Sequence, residues 1–178
     1  MALPGRKYIR LPHERYADTG AVASITVAVR ERRPIFRDEH LAQIMVEAVL
    51  STARDMGMPV YAFCVMPDHV HVLVGADFIS ARLQEDASPR AGIKPAPTSL
   101  IEFVKFMKGR SAASARRAGL MQQSFWQRSF FDHFLRRDED IETVCRYIWD
   151  NPVRAGLVSY WKDYPYSGST VYDLATMT

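Results

Sequence analysis

The chain has 178 residues, of which 48% are hydrophobic and 24% charged, and a net charge of +3 at pH 7. That length and balance suit one soluble globular domain with a good core. No apolar run approaches the roughly 20 residues of a membrane span, the opening MALPGRKYIRLPHERY lacks the apolar region of a secretory signal, and Cys64 and Cys145 stand too far apart for a zinc or redox spacing, so a cytoplasmic protein with two reduced, core-facing thiols is expected.

In chain order, AVASITVAVR alternates and is rich in β-branched residues, which predicts a first strand ending near Arg30. DEHLAQIMVEAVLSTARDMG places Leu41, Ile44, Met45, Ala48 and Val49 on one helical stripe and closes at Gly57. PVYAFCVM and HVHVLVG are strands two and three, and the Pro-Asp between them makes a hairpin turn. Residues 76–100 mix Pro, Ala, Ser and Gly without a period and read as a mobile loop. SLIEFVKFMKGRSAASARRAG is a second helix, N-capped by Ser99 and stopped at Gly119, and SFWQRSFFDHFLR is a fourth strand or an extended aromatic segment. DEDIETVCRYIWDNPVRAGLV opens on acidic residues, carries Ile141, Val144, Cys145 and Ile148 as its apolar stripe, and is expected to end at Asn-Pro; residues 157–178 follow as a tail. The order predicts one domain over residues 1–178 with an α+β, ferredoxin-like antiparallel sheet. Its two crossover helices would cover one face, leaving the other to the C-terminal helix.

Two features could carry chemistry. Residues two apart on a strand share a face, so His69 and His71 project together while Val70, Val72 and Val74 point the opposite way. Such a pair is either a two-point ligand set or two strand histidines satisfied by ordinary hydrogen bonds. From Phe103 to Phe131 the only charged residues are Lys105, Lys108, Arg110, Arg116, Arg117 and Arg128, all basic, with Phe125, Trp126 and Phe130 nearby. That stretch could contact phosphates and stack bases, or be a solvated helix face. Asp132 and His133 are adjacent and face opposite ways on an extended segment, while Tyr160, Trp161, Tyr164 and Tyr166 suit packing of the tail against the sheet.

VMPDHVHVLV, the RRPIF after the first strand, FWQRSFFDHFLRRDEDIETVCRYIWDNPVRAGLV and WKDYPYSGS together resemble the REP-associated tyrosine transposases, single-tyrosine enzymes marked by two histidines flanking one hydrophobic residue. The likeness runs from about Ser24 to Ser169. It implies that His69 and His71 bind a metal, that Tyr147 on the late helix is the nucleophile, and that Asn151, four residues on and on the same face, is an amide ligand. It further implies Mg2+ or Mn2+ as cofactor, single-stranded DNA beside a hairpin (a REP-like palindrome) as partner, a covalent 5′-phosphotyrosine, and a monomer or homodimer. Arg154, just past the tyrosine helix, could bind a phosphate or form a surface ion pair. The loop at 76–100 is longer than in relatives, and Tyr166 stands where Trp is commoner.

The expected activity is therefore a metal-dependent single-stranded DNA endonuclease and strand transferase. A non-catalytic nucleic-acid-binding or regulatory protein on the same fold is the alternative, distinguished by the lack of a working metal site.

Overall fold

The computed structural model describes residues 21–75, 100–136 and 138–177. Its elements are β1 (Val22–Ala28), α1 (Glu39–Met56), β2 (Val60–Met66), β3 (His69–Gly75), α2 (Leu100–Arg117), β4 (Phe131–Phe134), α3 (Ile141–Trp149), α4 (Asn151–Arg154) and β5 (Ser167–Gly168), with single 3-10 turns at 30–32, 35–37 and 161–163. The strands form one antiparallel sheet in the order β4-β1-β3-β2-β5. The first four strands follow the expected βαββαβ arrangement. The expected mobile loop and the Ser99 cap lie outside the described residues.

Period-two patterning splits the sheet into two differently furnished faces. Ala23, Ile25 and Val27 of β1 and Val70, Val72 and Val74 of β3 are buried in one core with Leu41, Met45 and Val49 of α1 and Phe103, Val104 and Met107 of α2. Helix α1 starts where the Asp38 carboxylate accepts from the Leu41 amide at 3.0 Å, and it stops at Gly57, which adopts φ 62°. The opposite face offers Ala62, Cys64, Met66 and Leu73 to Cys145, Ile148 and Trp149 of α3 and to Trp161. Burial pushes the Cys64 thiol up to about 12, and burial with nearby acidic charge does the same to Cys145, so both stay as protonated core groups.

Three details depart from the sequence reading. Strand β1 ends at Ala28, and Arg30 enters a tight turn. The late helix does not end at Asn-Pro: α3 stops at Trp149, Asp150 keeps helical angles, and Asn151-Pro152 opens α4. Proline is accepted in a helix's first turn because its missing N–H would have no partner there. Last, the tail adds a strand, β5, to β2, pairing Phe63 with Gly168 and Cys64 with Ser167.

The tail is locked by aromatic packing. Trp149 stacks on Trp161 with ring centres 5.5 Å apart and donates from Nε1 to the Gly168 carbonyl at 3.2 Å, and the Tyr164 hydroxyl donates to the Val65 carbonyl at 2.7 Å. A Cβ at Gly168 would sit 2.5 Å from Cζ of Phe63, a ring held in the α1/α2 core. Gly168→Ala should therefore lower stability by about 1–3 kcal/mol in chemical denaturation, whereas Gly109→Ala, where the added methyl meets open space, should be neutral to stabilising.

Candidate active site

The β2–β3 hairpin turns at Pro67-Asp68, which places His69 opposite Met66 and opposite Ala28 of β1, and His71 opposite Cys64 and Thr26. Both imidazoles thus stand on the α3 side of the sheet, beyond the end of the apolar cluster around Leu73. Their Nε2 atoms are 3.0 Å apart. Behind them, Asp68 Oδ1 lies 2.5 Å from His69 Nδ1, and Thr26 Oγ1 lies 2.9 Å from His71 Nδ1. With a proton on each Nδ1, donated to Asp68 and Thr26, two Nε2 lone pairs converge on one point. Two ligands about 2.1 Å from a common ion and at right angles to each other lie about 3.0 Å apart, so the pair has the spacing of adjacent metal ligands, each with an outer hydrogen-bond partner at Nδ1.

The electrostatics favour neutral imidazole at His71. Burial, then the positive groups at His69, Arg154 and Arg32, lowers its pKa to about 4, against a smaller opposing effect of Asp68. Burial alone would raise the Asp68 carboxyl, but the His69 contact and the Arg32 guanidinium together outweigh it and hold the group below its ordinary range. Arg32 Nη1 reaches Asp68 Oδ2 at 3.3 Å.

Helices α3 and α4 bring the remaining candidates to this side of the sheet. Tyr147 is 60% exposed. The Arg154 guanidinium lies 3.9 Å from its ring centre and donates to the Tyr147 carbonyl at 3.0 Å and to Asn151 Oδ1 at 2.9 Å. Asn151 Nδ2 donates to the carbonyls of Tyr147 and Ile148. Tyr147, Asn151 and Arg154 therefore form one cluster, although the break at Asp150 puts the tyrosine and the amide on separate helices. The Asn151 oxygen keeps one acceptor position beyond its bond to Arg154. Among the described residues no group of three His, Cys, Asp or Glu side chains could hold a metal, so a third protein ligand would have to be of another kind.

The basic stretch is not brought to the histidines. Helix α2 packs beside α1 against the opposite face of the sheet. Lys108 Nζ donates to the carbonyls of Gln127 and Ser129 at 2.8 and 3.2 Å, and burial lowers its pKa to about 8; it staples the strand entering β4. Arg110 pairs with Asp55 at 2.7 Å and Arg117 bonds Ser114, while Lys105, Arg116 and Arg128 are exposed on the same helix and the segment it holds. His133 faces the same side as His71, through Ser24 of β1, and bonds Glu139 at 2.9 Å. The sequence reading gave Thr26, Asp68 and Arg32 no role at the site. Asp68 could have been noticed beside His69, but Thr26 needs the β1–β3 register.

Residues 20–81, which contain both histidines, match the transposase family described as IS200-like. The chain is 27% identical to a REP-associated tyrosine transposase of Escherichia coli (strain K12) over 159 residues, 87% of this chain and 80% of the relative. A Haemophilus influenzae protein assigned to the same group is 26% identical over 148 residues, covering 83% of this chain and 79% of the relative. The solved structure of a REP-associated tyrosine transposase bound to a REP hairpin shares the fold, with a TM-score of 0.62 and 23% identity over 91% of this chain and 81% of that one. No helix among the described residues is long and apolar enough to cross a membrane.

The His71 environment makes stability depend on pH. An unfolded histidine takes up a proton near pH 6.5, whereas folded His71 resists protonation until about pH 4, so the unfolded chain binds more protons between these values. Stability should be full above about pH 6.5 and fall as pH drops toward 4, by on the order of 3 kcal/mol at most. Melting curves of the chelator-treated protein across that range should show this loss, and His71→Gln should flatten it.

Proposed function

We propose that this protein is a metal-dependent endonuclease and strand transferase for single-stranded DNA that cuts beside a hairpin through a covalent 5′-phosphotyrosine on Tyr147. The observation that carries the reading is the convergence of the His69 and His71 Nε2 atoms at 3.0 Å on the sheet face that also receives the exposed Tyr147 and Asn151. His69 and His71, with the Asn151 amide oxygen as third protein ligand, would hold Mg2+ or Mn2+. When bound, the ion withdraws charge from the scissile phosphate.

The protein's own groups perform the rest. Asp68 and Thr26 hold the two rings in register, and Arg154 holds the Tyr147 ring and the Asn151 amide in one arrangement. The Tyr147 oxygen attacks phosphorus and gives up its proton; the bond to the 3′ oxygen breaks, and that oxygen leaves as a 3′-hydroxyl. In the reverse sense, a free 3′-hydroxyl attacks the phosphotyrosine, a phosphodiester forms and the phenol is regenerated. The link conserves the bond's energy, so strands rejoin without a nucleotide cofactor. The hairpin-flanked substrate is supported by the relative whose structure was solved with a REP hairpin.

Tyr147→Phe removes only the phenolic oxygen, so folding and DNA binding should be preserved while the nucleophile is lost. With a labelled hairpin-flanked strand and Mn2+, the wild type should form an adduct that survives denaturing electrophoresis, carrying the label of the 5′-phosphate side, and the variant should form none. Cutting by the variant would assign the nucleophile elsewhere.

The histidines make a separate expectation. Mn2+ at 100 times its dissociation constant should stabilise the folded wild type by about 2.7 kcal/mol, and His69→Ala and His71→Ala should each lose that stabilisation together with cleavage.

A further inference from the structure

The segment RERRP joins β1 to α1, and its backbone is unusual. Glu31 and Arg32 both have positive φ, 59° and 53°, with no glycine in the turn. Side chains rarely occupy this left-handed region, and two consecutive cases persist only where the surroundings impose them. The surroundings here are hydrogen bonds to the tip of the histidine hairpin and its neighbour: Val29 N–H to the Asp68 carbonyl at 2.9 Å, Phe36 N–H to the Pro67 carbonyl at 2.9 Å, and Arg30 N–H to the Phe125 carbonyl at 2.8 Å. The turn is thus built onto the hairpin that carries His69 and His71. Arg30, Glu31, Arg32 and Arg33 are all exposed.

Asp68 divides its carboxylate between the two neighbours, one oxygen toward His69 and the other toward Arg32. Among the described residues Arg32 is committed through a single nitrogen, and a guanidinium has five donors. Among the described residues its remaining donors carry no hydrogen bond, and the side chain is exposed. The charges of Arg32 and Arg154, which come from separate elements, both act on His71.

We propose that the left-handed turn presents Arg32 as a backbone-phosphate-binding residue of the histidine site, acting with Arg154 to hold a single strand across His69 and His71. This rests on the reading that DNA is cut at the histidine pair, and it places electrostatic capture there, on the opposite side of the sheet from α2. A planar guanidinium already oriented by a carboxylate suits a phosphate better than a freely rotating ammonium.

The test is binding of the intact protein to a fluorescent single-stranded oligonucleotide in chelator, so that no cleavage contributes. Arg32→Gln keeps length and polarity but removes the charge, and it should reduce the log–log salt slope by about 0.7. Arg32→Lys should keep the slope while binding more weakly than wild type. Arg54→Ala, which removes one positive charge from the end of α1, should leave the slope as in wild type. An unchanged slope in Arg32→Gln, or an equal loss in Arg54→Ala, overturns the proposal. A merely structural role for Arg32 would change the melting temperature of Arg32→Gln without changing its slope. Because binding is read without metal, failure of Tyr147 to form an adduct would refute the cleavage reading and leave this result standing or falling separately.

Discussion

The alternation of β3 is the constraint on which the rest of the molecule depends. Val70, Val72 and Val74 must all be dry for α1 and α2 to have a core, and a strand that buries its valines necessarily turns His69, His71 and Leu73 to the other face. Pairing with β1 then decides what the histidines meet. The register that buries Ile25 and Val27 also sets Thr26 against His71. A slip of one residue would bury an imidazole among valines and expose the core, so the placement of both rings is enforced by the hydrophobic effect over the whole sheet. No local interaction at the rings has the same reach.

Much of this was legible in the sequence because it rests on periodicity. The stripe of α1, its stop at Gly57, the Pro-Asp turn and the side-by-side histidines follow from spacings of two and about 3.6. What was not legible is set by pairing and by faces. Strand β5 is two residues of a Ser- and Gly-containing tail, with no alternation to announce it. Thr26 becomes an outer partner of His71 only once the β1–β3 register is known. The helical continuation past Trp149 was hidden by Asn-Pro, a pair that opens a helical turn as readily as it ends one.

The position of the basic residues is more instructive, because the topology held the answer. A crossover helix between parallel strands is almost always right-handed, which puts both crossovers of a βαββαβ unit on the same face. If α1 covers the valine face, α2 must cover it too, and its basic residues cannot also line the histidine face. Composition along the chain identified a cationic stretch but not its side of the sheet. The arginines that act on His71, Arg32 and Arg154, lie outside that stretch, one in the turn after β1 and the other beyond the helix break at Asp150.

The division of the sheet between an early and a late core has a consequence for how the chain acquires its structure as it is synthesised. The valine-side core draws on residues between Ala23 and Trp126, whereas the cover of the histidine side needs Cys145, Ile148, Trp149 and Trp161. Strand β2 is also capped at its outer edge only by residues more than a hundred positions later. An emerging chain can therefore close one side while the other, with an unpaired strand edge and uncovered Ala62, Cys64 and Leu73, waits for the last helices and the tail. The pairing of such distant segments slows folding. Truncation within the tail would leave the chain in this half-covered state, prone to self-association through β2 and with the histidines still displayed on an open sheet.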